Sequence, residues 1–472
     1  TLVGLAGEIS DRPPAREMDM LLSTGEQVSV ALMAMAIHSL GEKAVSLTGA
    51  QIGVKTDSTH TKARIKSIST ERMQKLLDDG NIVIAAGFQG IDEDFNITTL
   101  GRGGSDTTAV ALAAVLRAQE CQIYTDVDGV YTTDPRVMPD ARRVSRVSFD
   151  EMLELASLGA GVMHSRSIEF AKKFGVPVHV RSSATDAPGS LIVSQPECPD
   201  TPVSGCALTK DEARVTIRGV PDVPGSSFEI FSRIAAKAVT VDMIVQNVGE
   251  DGRANISFTV PKGELSQTLD AVAEAQAAIG IEDVSYDDNV SKVSVVGLGM
   301  AQQTGVADRM FRSLAEEGVN IHMITTSEIK ISVLVDRESS LTALRKVHKT
   351  FELEKERASV VDEVPVESPN TDPSQVAEML RGAELEELTI DEVSLDESQA
   401  RVTIRGIPDA PGVAAKVFEE IAAAGIFVDM IVQNVGREGH ANLSFTVPQE
   451  KLLQSVDVAQ ELSKILNGGK VT

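Results

Sequence analysis

The sequence predicts a layered α/β domain followed by a series of small α+β units, and three observations carry that expectation. Over residues 1–195, apolar runs of strand length alternate with longer helical stretches, the pattern of a sheet sandwiched by helices. Beyond residue 207 a block of about 50 residues returns without a gap, which marks a duplicated structural unit. The chain is 472 residues long, enough for about three domains of ordinary size.

In the first region the strand candidates are Ala44–Leu47, Ile82–Ala86, Gln122–Thr125 and Val176–Val180. Helical stretches are expected at Gly25–Leu40, Thr107–Gln119, Phe149–Leu158 and Ser165–Phe174. The helix after Ser105 is apolar on almost every side from Ala109 to Leu116, so it should be buried. Ser182 to Pro202 is rich in Ser, Pro and Asp and reads as a domain boundary.

The repeat follows. Ala213-Arg-Val-Thr-Ile-Arg-Gly returns as Ala400-Arg-Val-Thr-Ile-Arg-Gly, and Val241-Asp-Met-Ile-Val-Gln-Asn-Val-Gly returns from Val428. The first copy reads as strand Arg214–Arg218, a Pro-Asp-Val-Pro-Gly turn, a helix, strand Val241–Gln246, a hairpin turn at Asp251-Gly252, strand Asn255–Val260 and a second helix. A diverged unit lies between the copies, with strands Val293–Val296, Asn320–Thr325 and Ile329–Val335 and helices at Thr304–Glu317 and from Ser339. Residues 207–361 therefore hold two units, about 207–285 and 290–361. An acidic, proline-containing stretch at 362–384 reads as linker, and 385–472 holds a third unit with no partner unit after it.

Composition excludes several functions. Lys+Arg 44 against Asp+Glu 69 leaves a net charge of −25, the wrong sign for a phosphate backbone. With no Trp and three Tyr there is little to stack on single-stranded bases, so nucleic acid is not expected as a partner. The three cysteines form no Cys-x-x-Cys pair, which points to a reducing compartment, and the seven His lack ligand spacing, so no protein metal site is expected. The apolar run Val28–Ile37 is too short to span a bilayer, and no signal segment follows Thr1. A cytoplasmic protein without a membrane partner is the expectation.

Three motifs can carry chemistry. Thr98-Thr-Leu-Gly-Arg-Gly-Gly-Ser-Asp-Thr-Thr108 enters the buried helix. Its glycines allow close backbone approach, the helix start favours anions, and Arg102 adds a cation suited to carboxylate or phosphate oxygens. It matches neither the P-loop nor the dinucleotide fingerprint, and an ordinary capped turn is the plain alternative. Tyr124-Thr-Asp-Val-Asp-Gly-Val-Tyr-Thr-Thr-Asp-Pro-Arg136 follows a strand, where open α/β sheets bind ligands. Asp126 and Asp128 can take Mg²⁺ or ribose hydroxyls and Arg136 phosphate, or the segment is a turn built from Asp, Gly and Pro. In Leu21-Leu-Ser-Thr-Gly-Glu-Gln27, Glu26 reads either as a helix-start carboxylate or as a partner for a substrate ammonium. His38, His60 and His179 read as surface or packing residues, and Met18, Met20, Met33 and Met35 as core fillers.

Taken together, Leu-Ser-Thr-Gly-Glu (22–26), Ala-Gly-Phe-Gln-Gly (86–90), the Gly-Arg-Gly-Gly-Ser-Asp run (101–106) and Tyr-Thr-Asp-Val-Asp-Gly-Val-Tyr (124–131) resemble the aspartokinases of the amino-acid kinase family. The repeats are similar to ACT domains, the small-molecule-sensing units attached to that enzyme. The resemblance implies an amino-acid kinase fold, a mainly parallel sheet between helices, followed by ferredoxin-like ACT domains. It implies transfer of the ATP γ-phosphoryl to the β-carboxylate of L-aspartate, giving 4-phospho-L-aspartate, with Mg²⁺. That is the first step of lysine, threonine and methionine biosynthesis, inhibited by lysine and/or threonine.

Residue by residue, the resemblance makes Asp106 the catalytic aspartate, in an organising role. Arg102 and Ser105 hold the substrate, Glu26 its ammonium, and Phe88 lines that pocket, while amides near Gly103 and Gly104 hold the transferring oxygens. Thr125, Asp126, Tyr131 and Arg136 hold the nucleotide. Effector residues map onto Asp222, Pro224, Gly225 and Ser227, then Thr240, Val241, Asp242 and Gln246. In the facing unit they map onto Val306, Ala307, Asn320, Ile321, Ser327 and Glu328. A homodimer built on the ACT pair is implied as well.

Two departures stand out. The family's Lys-Phe-Gly-Gly strand, whose lysine neutralises phosphates, is not found here, so a chain clipped at its start is expected, with the full-length protein as the kinase. Gly159-Ala-Gly161 stands where many members have Gly-Ala-Lys, and the unpaired last repeat suggests clipping at the end too. A non-catalytic amino-acid sensor, and a kinase for glutamate or acetylglutamate, are the competing readings.

Overall fold

The structure is a computed structural model that describes residues 1–159, 162–248, 252–357, 395–435 and 439–472. The expected linker 362–384 and position 161 lie outside the described residues. The first region opens with α1 (Leu2–Ile9), α2 (Ala15–Ser39), β1 (Ala44–Leu47), β2 (Lys55–Thr56), β3 (Ile65–Ser67) and α3 (Glu71–Asp78). Then come β4 (Ile82–Ala85), β5 (Gln89–Ile91), β6 (Ile97–Thr99), α4 (Gly104–Leu116), β7 (Cys121–Thr125), β8 (Val130–Tyr131) and β9 (Arg143–Val144). It ends with β10 (Arg146–Ser148), α5 (Phe149–Ser157), α6 (Ser165–Phe174), β11 (Val178–Ser182) and β12 (Ser190–Val193).

The expected mainly parallel sheet is instead mixed: β1–β4, β2–β5, β7–β11 and β10–β12 pair parallel, while β2–β3, β5–β6, β8–β9 and β11–β12 pair antiparallel, because short hairpins flank the parallel pairs. Helix α4 is buried along most of its length, as its apolar composition requires. Strand β12 falls inside the stretch read as a boundary, so the chain leaves this region only after Val193. Glu197 fastens the exit, accepting from the backbone N–H of Ser145 at 2.9 Å and its hydroxyl at 2.7 Å.

Helix α2 begins well before the expected Gly25, because Pro14 occupies its N-cap and nothing from Ala15 onward breaks it. Its 25 residues are long and apolar enough, by length and composition, to cross a membrane, which the run Val28–Ile37 alone had argued against. It lies along β1 and β6 with Asp19, Ser23 and Ala34 buried, but its other face is open, and Met20, Met33 and Met35, expected as core fillers, are exposed there.

The second region comprises β13 (Gly205–Pro221), α7 (Ser226–Ala236), β14 (Asp242–Val248), β15 (Arg253–Pro261), α8 (Leu265–Ile279) and β16 (Asp283–Val296). It continues with α9 (Val306–Glu316), β17 (Met323–Ser327), β18 (Lys330–Asp336) and α10 (Ser340–Thr350). The last unit is β19 (Gln399–Pro408), α11 (Val413–Ala423), β20 (Ile431–Val435), β21 (His440–Pro448) and α12 (Leu452–Ile465). All its strands join one sheet in the order β14-β15-β13-β16-β18-β17-β20-β21-β19.

Two long strands serve two units each. Arg214–Arg218 of β13 pairs with the start of β16 in the first unit, whereas Gly205–Thr209 pairs with Lys292–Val296 and completes the second. The first unit is thus inserted into the second. The third unit, expected to lack a partner, finds one inside the chain: β17 and β20 pair antiparallel, with Ile324 opposite Gln433. Both are edge strands of like units, and pairing them satisfies two rows of backbone groups at once. Helices α9 and α11 follow suit, with Phe311 and Phe418 ring centroids 5.5 Å apart, so the second and third units share one core. The bare edge falls on β14 of the first unit instead.

The open face of the first unit folds over the other two. Met243 and Val245 of β14 meet Val290, Met323 and Leu334. At the margin of this layer Lys292, 3% exposed, pairs with Asp242 and lies 3.2 Å from Glu212 Oε1. Burial opposes the lysine charge, but the two carboxylates outweigh it and hold the pKa of Lys292 above the usual lysine range. Burial pushes Glu212 up despite Lys292, while the same lysine overcomes burial at Asp242 and holds that carboxyl low.

The first region docks on the second through α5. Glu151 accepts from the Ser148 N–H in a capping box and from the Ser204 hydroxyl at 2.7 Å and the Leu298 N–H at 3.2 Å. Lys330 reaches Glu154 at 2.7 Å. His348 of α10, buried and therefore held below the usual histidine pKa, sits with Nε2 3.1 Å from the Thr132 hydroxyl.

Replacing Lys292 with Met should leave two carboxylates facing one another, a loss of about 3–5 kcal/mol. Thermal melts should show a lower apparent midpoint at pH 7. The deficit should shrink in acid as Glu212, whose folded pKa is raised, takes up a proton.

Candidate active site and effector cavity

The glycine-rich turn is the tightest part of the first region. It leaves β6, passes Leu100, and opens α4 with Gly103 as N-cap at φ 71°. A Cβ at Gly101 would lie 2.7 Å from the Thr61 carbonyl oxygen, and one at Gly103 would lie 2.3 Å from His164 Cβ, so no other residue fits there. The ring of Phe88 lies against Gly104, and the Phe88 N–H donates to the Thr108 hydroxyl at 3.1 Å. Phe88 itself sits at φ 67°, a strained value for an aromatic residue.

The turn corrects one expectation. The Gly104 N–H closes back on the Gly101 carbonyl at 3.1 Å and is not open to an anion. The amides of Gly103, Ser105 and Asp106 have no acceptor among the described residues, so these, and not the Gly104 amide, are the open donors of the turn.

Charges stand around it in a useful order. Arg102 is exposed and unpaired among the described residues, and so is the half-buried carboxylate of Glu26. Glu26 lies inside α2 rather than at a helix start, so helix-dipole compensation does not account for it. The same helix reaches the Ala-Gly-Phe-Gln-Gly segment, where the Gln89 amide donates to the Ser23 carbonyl at 3.1 Å. Burial pushes the Asp106 carboxyl up, opposed by the neighbouring His164, whose backbone N–H donates to it. His164 was not among the expected site residues. Its signal was present as the residue that caps α6, where Nδ1 accepts from the Arg166 N–H.

The second loop lies beyond the carboxyl end of β7, where ligands of open sheets bind. Thr125 donates from its hydroxyl to Asp126 at 3.1 Å, and Tyr131 donates from its hydroxyl to Asp128 at 2.8 Å. Burial, with help from Asp128, pushes the Tyr131 phenol up. Arg136 is forked onto Asp134, with Nε–Oδ1 at 3.0 Å and Nη2–Oδ2 at 2.9 Å, so a phosphate would have to displace that carboxylate.

The expected effector residues are split. Val306, Ala307, Ser327 and Glu328 line a cavity of about 300 Å³ between the second and third units. Asn320 and Ile321 line a much smaller cleft across the same interface, where Asn320 donates to Asp409 at 3.2 Å and Gln433 donates to the Ile321 carbonyl at 3.1 Å. The first-unit set does not face them. Asp222, Pro224 and Gly225 are exposed, Ser227 bonds Gln246 at 3.3 Å, and the Thr240 N–H donates to Glu264 at 3.1 Å. Val241 packs on the core of the first unit, and Asp242 is committed to Lys292. The large cavity adds Asp308, Thr326 and Asp429, which sequence reasoning missed. Asp429 is the repeat equivalent of Asp242, and that was the available signal.

Fold and turn define a kinase that phosphorylates an amino acid and carries sensing units. The amino acid kinase family model matches residues 5–182, and the ACT domain model matches 293–351 and 402–461. The chain is 52% identical to the aspartate kinase of Stutzerimonas stutzeri over 355 residues, 75% of this chain and 86% of that one. The crystal structure of aspartate kinase from Synechocystis is 37% identical with a TM-score of 0.51, covering 100% of this chain and 78% of that chain. Escherichia coli aspartokinase III with aspartate and ADP is 27% identical with a TM-score of 0.64, covering 74% and 79%. The same enzyme with lysine and aspartate is 28% identical with a TM-score of 0.58, covering 72% and 76%. The chain belongs to the aspartokinase family.

The raised Asp106 pKa gives a test with a defined sign. A carboxyl whose folded pKa lies above its unfolded value destabilises the fold once it ionises. Asp106→Asn should therefore melt higher than the wild type at pH 7–8. The gap should close as pH falls through the raised pKa toward the ordinary aspartate range. A constant gap across that range would mean that Asp106 is not strained by burial.

Proposed function

We propose that the protein transfers the γ-phosphoryl of ATP to the β-carboxylate of L-aspartate, forming 4-phospho-L-aspartate and ADP in the cytoplasm. The observation that carries this reading is the open guanidinium of Arg102 beside free helix-start amides, with the unpaired carboxylate of Glu26 on α2, the helix that bonds the Ala-Gly-Phe-Gln-Gly segment through Ser23. A substrate with carboxylates at one end and an ammonium nearby fits that polarity. The β-carboxylate is already ionised at pH 7, so no general base is needed. Arg102 and Ser105 bind it, Glu26 takes the ammonium, and Phe88 walls the pocket.

The amides of Gly103, Ser105 and Asp106 stabilise charge on the transferring oxygens while the bond to ADP breaks. Asp106 orients the helix start through the His164 N–H and stays unprotonated by substrate. Thr125, Asp126, Tyr131 and Arg136 would hold the nucleotide. Mg²⁺ would be met by Asp126 or Asp128 of the second loop, whose carboxylate oxygens suit a hard cation. When bound with the nucleotide it would neutralise phosphate charge. The product would feed lysine, threonine and methionine biosynthesis.

Regulation fits the cavity between the second and third units. Three carboxylates, Asp308, Glu328 and Asp429, line it, and among the described residues no lysine or arginine does. Asp308 Oδ2 pairs with Arg312 at 2.9 Å while its Oδ1 is buried without a hydrogen-bond partner, which leaves Glu328 and Asp429 as the lining carboxylates without an ion pair among the described residues. That charge favours lysine over threonine as the feedback ligand, with the amides at the start of α9, near Val306 and Ala307, facing its carboxylate. The bare β14 edge, beside exposed Phe228 and Ile244, suits a second copy and supports a homodimer.

The complete protein with Mg-ATP should yield hydroxylamine-trapped acyl phosphate from L-aspartate, far more than from L-glutamate. Arg102→Ala should lower kcat/KM about 10²–10³-fold without shifting the melting midpoint. Equal turnover of the two amino acids, or near-normal turnover by the variant, would refute this reading.

Calorimetry should show lysine binding that Glu328→Gln weakens about tenfold, consistent with loss of one charge-assisted contact. Threonine binding tighter than lysine would count against the assignment of the cavity.

A further inference from the structure

The glycine-rich turn does not hold itself. Its backbone is gripped by a short segment, Thr61 to Ala63, which makes no part of the reading above. Thr61 is a β-branched residue at φ 67°, a conformation that such residues avoid unless their surroundings enforce it. The Asp19 carboxylate enforces it. Fully buried in α2, it accepts from the Thr61 N–H at 3.0 and 3.1 Å, lies 2.7 Å from His60 Nδ1, and accepts from the Thr99 hydroxyl at 2.5 Å. Thr61 thereby turns its carbonyl oxygen onto Gly101.

The other end of the segment is held by Arg166, from the first turn of α6. One arm of its guanidinium donates to the Ala63 carbonyl and another to the Leu100 carbonyl, both at 2.7 Å. Leu100 is the residue before the turn, and its own N–H donates to the Phe88 carbonyl at 3.0 Å. Both carbonyls belong to buried residues and would be left without a partner by a side chain lacking the planar fork. His164, two residues before Arg166, closes the far side by lying where Gly103 can have no Cβ.

We propose that Asp19 and Arg166 are positioning residues for phosphoryl transfer. They act through Thr61–Ala63 and Leu100 to fix the Gly101–Gly104 turn at the height where Arg102 and the open amides meet the transferring group. This rests on the reaction assigned above, so the test has one arm that does not depend on turnover.

In the complete protein, Arg166→Lys keeps the charge but loses the fork, and Asp19→Asn keeps the shape but loses the charge. Each should lower kcat about 30-fold or more, because small displacements of positioned groups are costly, with KM for ATP within about threefold of wild type. The double variant should be little worse than either single one, since both work through the same segment. Guanidinium ion should partly restore Arg166→Ala. A purely structural role would instead reduce the number of nucleotide-binding sites and leave kcat per site unchanged, and that result would overturn the proposal.

The independent arm is hydrogen exchange. The amides of Leu100, Gly104 and Thr107 should exchange about tenfold faster in Arg166→Lys, as expected for local opening, while α5 and the ACT units stay as in wild type. Unchanged exchange at those three amides would overturn the proposal whatever the substrate turns out to be. An inactive wild type with accelerated exchange in the variant would refute the reaction and leave the clamp standing.

Discussion

Close approach of backbone to backbone at Gly101–Gly104 is the constraint on which the rest depends. Side chains are excluded there by Thr61 on one side and His164 on the other, at distances no Cβ could tolerate. That exclusion leaves an array of amides at the start of a long buried helix, and it forces Arg102 outward. A carboxylate and a nucleotide phosphate repel one another, so bringing them together needs fixed positive potential with nothing in the way. The glycine-rich turn follows β6 of one small sheet and the second loop follows β7 of another, and α2 carries the unpaired carboxylate of Glu26.

The same economy appears in the regulatory part. A βαββαβ unit has an edge strand it must cover, and this chain covers two of three by pairing the second unit with the third. The cavity arises there because the turns before α9 and α11 are related by the pairing, yet their surroundings differ. One cleft is filled by Asn320, Asp409 and Gln433, while the other stays open and acidic. The first region and the shared sheet meet at a direct seam, the path that the proposed coupling would take: Glu151, Glu154 and Thr132 on one side, Ser204, Lys330 and His348 on the other. Thr132 directly follows Tyr131 of the nucleotide loop, so a shift of α10 has a short path to that loop. Such coupling is typically about 1–3 kcal/mol.

Much of this was legible in the sequence because it is local. The apolar run of α4, the glycines of the turn and the duplicated strands announce themselves in composition and spacing. Pairing between units did not. Which edge strand meets which is decided by long β13 and β16 shared between units, and nothing in the repeat's own residues says that the first unit is inserted into the second. The residues expected to bind an effector therefore fall in two places, some on the interface of the second and third units and the rest on the first unit. Asp242 shows the limit well: its repeat equivalent Asp429 faces a cavity, while Asp242 itself is consumed by Lys292, a residue 50 positions away. Asp19 and Arg166 were invisible for the same reason, since a helix position and a loop carbonyl have no sequence relation.

The most direct measurement is turnover by Gly103→Ala in the complete protein, set beside its nucleotide binding and melting curve. One methyl group added at this position meets His164 and a left-handed backbone at once. The account predicts a folded protein that still binds nucleotide but has lost at least about 10²-fold in kcat, the scale of a displaced oxyanion donor. Near-wild-type turnover by that variant would contradict it, because the turn would then have room that the structure denies it.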